Sequence, residues 1–134
     1  MLLINFGLGL FVGYLAELSY RFKLEKRYIK PLFINLQMYG FSAAFLYFIY
    51  SHKISLMGLI LLALLFTTGI EFITGYSYLK IKGVRLWNYF DENLNYKGLI
   101  CLRFSLYWLL IFLVYYFLVD FTLGGVEFLL PNVN

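Results

Sequence analysis

Four long runs of apolar residues, separated by short connections, leave this chain few choices besides a set of membrane-crossing helices. The first, LLINFGLGLFVGYLAELSY, covers residues 2–20. As a helix rising about 1.5 Å per residue, it nearly traverses a hydrocarbon layer of about 30 Å. The others cover residues 32–50, 54–78 and 99–119. Composition agrees: 63% of the 134 residues are hydrophobic and 13% are charged, against roughly 25% charged in soluble domains. A water-soluble fold of this size lacks the interior to hide so many Leu, Ile, Phe and Tyr side chains. The expected fold is an all-α integral membrane protein. Its four transmembrane helices form a compact bundle within residues 1–120, and residues 121–134 form a short extracytoplasmic tail.

Basic residues set the orientation. Arg21, Lys23, Lys26, Arg27 and Lys30 crowd the first connection, and Lys80, Lys82, Arg85 and Lys97 the third. The middle turn has only Lys53. The positive-inside tendency then puts the first and third connections in the cytoplasm and both termini outside. The formal charge of +4 is therefore read as topology, with no nucleic-acid partner. No basic stretch or small-residue cleavage site surrounds the first run, which argues against a cleavable signal peptide. Cys101 is the single cysteine, and no His/Cys/carboxylate grouping has metal-ligand spacing, so neither metal nor cofactor is implied. Pro31 is expected to open the second helix. In the tail, Gly124-Gly125 and Pro131 are expected to break any long helix, leaving FLL as a short patch on the interface or the bundle.

Three ionisable residues fall within the spans: Glu17, Glu71 and Arg103. The topology brings all three to a similar depth in the cytoplasmic leaflet. A charge in the bilayer costs at least about 2.5 kcal/mol, so such residues usually face protein or water, and an arginine fork can bridge two carboxylates. Small and polar residues recur every four positions beside them. Asn5, Gly9, Gly13 and Glu17 share one face of the first span, and Ala63, Thr67, Glu71 and Gly75 one face of the third. Asn35, Tyr39 and Ala43 do the same in the second. These faces read as bundle seams, with Gly9, Gly13 and Gly75 allowing close packing. Glu17, Glu71, Arg103, Asn5, Tyr39 and Thr67 are the candidates for an ion or substrate pathway. A purely structural role for the charges is the alternative.

The connection GVRLWNYFDENLNYKG is too rich in aromatic and turn-forming residues for a spacer. Trp87 and Tyr89 suit the headgroup level, while Asp91 and Asn95 are expected to cap the fourth span or close a turn. This reads as an interfacial loop covering the cytoplasmic mouth of the bundle. The chain holds 13 tyrosines and 15 phenylalanines in all, and those outside this connection are taken for packing and lipid-facing bulk, not for an aromatic cage.

The same stretch, continued as GVRLWNYFDENLNYKGLICLRFSLYW, resembles the ABC-transporter type IV, or CmpB-like, family of small bacterial membrane proteins. The resemblance rests on Gly83, Val84, Trp87, Tyr89, Asn95, Gly98, Ile100, Cys101, Leu102, Phe104, Ser105 and Trp108. It extends to Gly13, Glu17 and Ser19, to Tyr39-Gly40-Phe41, and to Glu71 with Thr74-Gly75. Departures occur at Asn88, where the family usually has an acid, at Phe90 for serine, Asn93 for proline and Lys97 for asparagine. The resemblance implies a transporter component of the bacterial cytoplasmic membrane, with an ABC ATPase as partner only by the family's name.

The leading reading is thus a small multi-pass permease-like or channel-like protein moving an ion or small solute. Four spans enclose little space, so a pathway calls for a homodimer or another membrane subunit besides the surrounding lipids. An assembly or regulatory subunit of a larger complex is the second reading. A lipid-modifying enzyme is the third, with Glu and Arg supplying acid-base chemistry and phosphate binding. No nucleophile-base-orienter spacing supports that reading, so no catalytic residue is assigned and the chain is taken as non-enzymatic.

Overall fold

The computed structural model of the chain describes residues 1–26 and 32–129. It contains four helices, α1 (Leu2–Glu25), α2 (Phe33–Ser51), α3 (Leu56–Lys82) and α4 (Leu102–Leu129). Two short antiparallel strands, β1 (Asn95–Tyr96) and β2 (Ile100–Cys101), lie between α3 and α4. Among the described residues, three stretches are long and apolar enough to cross a membrane: Leu2–Lys23, Leu56–Lys82 and Leu102–Phe121. α2 has the length, 19 residues, but Asn35, Gln37, Tyr39, Tyr47 and Tyr50 hold its hydropathy down. Its position explains this. α2 touches α1, α3 and α4 and buries Asn35, Met38, Gly40, Ser42, Ala43, Leu46 and Ile49, so much of its polar face meets protein.

The outer faces are apolar. Leu3, Phe11, Leu61, Leu65 and Phe117 are all more than half exposed. In water such a surface would drive aggregation, whereas lipid tails solvate it. With lipid as solvent, helix association depends on close packing more than on burial. The most extensive helix pair, α1 with α2, shows how. A Cβ added to Gly9 would lie 2.5 Å from the Tyr39 carbonyl oxygen and 2.7 Å from the Ala43 Cβ. One added to Gly13 would lie 2.5 Å from the Tyr39 ring. Asn5, Gly9 and Gly13 are buried along this seam, and Leu59, Ala63, Thr67, Glu71 and Gly75 along α3.

An apolar core occupies the end of the bundle nearest the α2–α3 turn. Leu46 and Ile49 meet Leu59, Ala63 and Phe112 there, and the Phe45 and Phe66 rings stack at 3.9 Å. The turn itself is short. Lys53 takes a positive φ, and the Ser55 side chain accepts from the Gly58 N–H at 3.3 Å, capping α3.

Several element ends differ from the sequence reading. α1 and α3 run past the expected span ends to Glu25 and Lys82. The fourth helix begins at Leu102, not Leu99, because residues 95–101 form the β1–β2 hairpin. The break expected at Gly124-Gly125 is absent, since α4 continues to Leu129. An interior glycine costs roughly 1 kcal/mol, which weakens a helix without ending it. Arg27, Lys30, Pro31 and residues 130–134, including Pro131, lie outside the described residues.

The seam makes a prediction. Gly9→Leu lowers stability to unfolding in detergent by about 1–3 kcal/mol, the cost of overpacking. At Gly7 an added Cβ meets nothing within 4 Å, so Gly7→Leu shifts stability by less than about 0.5 kcal/mol. Circular dichroism during a denaturing titration measures both.

Candidate functional site

α1 and α3 finish, and α2 and α4 begin, at the end of the bundle opposite the apolar core. A cavity of about 390 Å³ lies there beside the connection between α3 and α4. Its walls carry Glu17, Tyr20 and Arg21 from α1, Asn35 and Tyr39 from α2, and Glu71 from α3. Phe104, Tyr107 and Trp108 of α4 and Trp87 and Tyr89 of the connection complete it.

The two acids sit in different company. Glu17 accepts from the Arg21 guanidinium at 3.3 Å, one helical turn away, and from the Tyr39 hydroxyl at 3.4 Å. Glu71 is far more enclosed, at 2% exposure. Its Oε1 accepts from the Tyr89 hydroxyl at 2.8 Å, while its buried Oε2 has no partner within hydrogen-bonding geometry among the described residues, the Trp108 indole N–H lying nearby. The buried Asn35 Oδ1 likewise has no partner among them. Isolated buried acceptors are costly, so each marks a place where a donor would be welcome.

The connection is a folded cover. Gly83, with φ of 70°, ends α3. The Trp87 indole N–H then donates to the Leu99 carbonyl at 2.8 Å, and the Tyr89 N–H to the Gly98 carbonyl at 3.0 Å. Lys97 and Gly98 both take positive φ to turn the hairpin, and the Asn95 side chain accepts from the Gly98 N–H at 3.1 Å. Gly75 seats this cover on α3, for a Cβ there would lie 2.9 Å from the Trp87 ring. The Tyr89 ring stacks on Phe104 at 4.5 Å. Burial foremost, and then the charge of Glu71, push the Tyr89 hydroxyl above its ordinary pKa, so it remains a donor.

The structure thus brings Glu17, Glu71 and Tyr39 to one cavity, with Trp87 and Tyr89 beside them. Arg103 is placed elsewhere. It is exposed and pairs with Glu92 at 3.1 Å and the Tyr107 hydroxyl at 3.2 Å, instead of bridging the two acids. Helix geometry gives the reason. Ser105, Trp108 and Phe112 are buried at spacings of three and four, and Arg103 lies two positions before Ser105, about 200° around the axis. Asn5 and Thr67 also lie apart from the cavity. Asn5 accepts from the Tyr115 hydroxyl at 3.0 Å, tying α1 to α4, and the Thr67 hydroxyl donates to the Ala63 carbonyl at 2.8 Å. Asp91 is exposed, and Asn95 closes the hairpin turn, not a helix cap.

Sequence reasoning passed over Arg21, Tyr107 and Trp108 as lining residues, and Glu92 as the partner of Arg103. The i, i+4 spacings Glu17–Arg21 and Arg103–Tyr107 were the available signals. Besides packing, Tyr39 and Tyr89 each donate a hydrogen bond to one of the two acids.

A family model described as Putative ABC-transporter type IV matches residues 4–133. No curated protein and no solved structure matches the chain significantly.

Removing the Tyr89 hydroxyl leaves the buried Glu71 oxygen without its donor. Tyr89→Phe is expected to loosen the cover by about 1–3 kcal/mol. Faster hydrogen exchange across residues 83–101 in detergent, with the helices still protected, is the measurement that checks this.

Proposed function

The chain belongs to the ABC-transporter type IV family, and from that premise we propose that it is a transport component of the bacterial cytoplasmic membrane whose solute site is the Glu17–Glu71 cavity. In this reading all four helices cross the bilayer and both termini lie outside. Residues 1–120 form the membrane domain, and residues 121–134 belong to the outer face. The basic residues flanking the 83–101 connection support a cytoplasmic position for the cavity mouth. The single observation that carries the proposal is Glu71. An acid at 2% exposure within an apolar span, on the wall of a cavity large enough for a small solute, is costly to retain without a use.

The role is binding and passage, not catalysis. The Glu17–Glu71 cavity lies at one end of the bundle, so in this reading a second copy or another membrane subunit completes the route. An ATPase partner rests on the family name alone.

A second reading has its own observation. Val84, Phe90, Leu94 and Tyr96 of the cover are more than half exposed, outside the apolar spans. They suit a docking surface for another membrane protein, with this chain as a non-transporting assembly or regulatory subunit. A stable partner copurifying through these residues, with no flux by the chain alone, favours this reading.

Proteoliposomes exposed to a mixture of labelled small solutes, analysed by mass spectrometry, test transport. We expect accumulation of at least one solute by the native chain. Glu71→Gln should reduce it by at least about tenfold, and Arg103→Ala should leave it within about twofold. Flux that is absent, or equal in Glu71→Gln, overturns the reading.

A further inference from the structure

The contents of the cavity wall define what it can hold. Glu17 already has a cation, Arg21, at 3.3 Å, so that pair is close to neutral. Among the described residues no cationic side chain pairs with Glu71, which therefore supplies one uncompensated acidic group. Two buried side-chain acceptors of residues on this wall, Glu71 Oε2 and Asn35 Oδ1, have no partner within hydrogen-bonding geometry among the described residues, although the Trp108 indole N–H lies near Glu71. Both can take N–H or O–H donors. The remaining surface is largely aromatic. Trp87, Trp108 and Tyr39 line it, with the Tyr39 and Trp108 rings 4.6 Å apart. Aromatic faces attract cations and solvate alkyl groups, but they offer a metal ion no oxygen ligands. At about 390 Å³ the space is far larger than a bare ion needs and falls in the range of about 300–1,000 Å³ for small-molecule sites.

We propose that this cavity binds a small monovalent organic cation carrying N–H donors, a primary or secondary alkylammonium. Its charged end meets Glu71 and Asn35, and its alkyl part lies against Trp87, Trp108 and Tyr39. The proposal rests on the reading of the cavity as the solute site and names the class of solute. The ammonium could come from a free amine or from an aminophospholipid headgroup, since the cavity lies at the connection end of the bundle.

Both tryptophans of the chain line the cavity, so intrinsic fluorescence reports on it directly. The full-length protein is placed in nanodiscs of phosphatidylcholine and phosphatidylglycerol and titrated with n-butylammonium. Saturable emission change is expected with n-butylammonium, and none with n-butanol or potassium at matched concentration. Glu71→Gln should weaken the apparent affinity by at least about tenfold. Because that variant alters a buried group, a second measurement uses the unaltered chain. Labelling of Glu71 by dicyclohexylcarbodiimide, followed by mass spectrometry, should be slowed by n-butylammonium and unaffected by n-butanol. A response shared by n-butanol or potassium, no saturable response to n-butylammonium, or no protection of Glu71 overturns the assignment. Nanodiscs containing phosphatidylethanolamine separate the two sources. Competition there supports the headgroup, and unchanged binding supports a free amine. Binding is read without flux, so binding without transport overturns only the transport reading. Glu71-dependent flux without amine binding overturns only the choice of solute.

Discussion

The hydrogen bond from Tyr89 to Glu71 joins the part of this molecule outside the spans to the more enclosed of the two acids within them. On one side it supplies a partner for an acid that an apolar bundle would otherwise exclude. On the other it fixes the ring that stacks on Phe104, and with it the position of Trp87 beneath the hairpin. The cover and cavity are thus one unit. The helices could pack by their small-residue seams without the connection, but the cavity would then lack part of its wall.

Those seams were legible from sequence because membrane helices reveal packing through small residues at regular spacing. Asn5, Gly9 and Gly13, and Ala63, Thr67, Glu71 and Gly75, lie on buried faces for that reason. Two acids near the ends of two spans that run in the same direction could likewise be placed near one level. Arg103 could not be assigned from depth alone. Its direction depends on which face of α4 turns inward, and that is set by Ser105, Trp108 and Phe112. The small hairpin was also hidden, since two-residue strands have no periodicity to read. Only the turn residues hinted at it.

The connection also explains how this chain can depart from the usual family pattern without losing the fold. Asn88 stands in place of an acid, and its Oδ1 accepts from the Phe90 N–H at 3.1 Å, a role either side chain can fill. Lys97 stands where asparagine is usual, at a φ of 52° that asparagine tolerates more readily. The backbone bonds on either side of the turn hold it there. Phe90, in place of serine, lies under the Arg85 guanidinium at 4.7 Å and gives the cover an aromatic outer surface.

The separation of a polar cavity from an apolar core along the bundle has a mechanical consequence. A solute leaving the cavity along the helix axes would meet Tyr39, Trp108 and Ile111, which also border a second space of about 310 Å³ lined by Leu46, Phe112 and Leu118. That second space offers a charged solute almost no polar partner, so it is a barrier by solvation and not an open conduit. Passage to the far side would demand that the α2–α4 contacts part and reseal around the cargo, one molecule at a time, so throughput would follow the pace of helix rearrangement and not that of free diffusion.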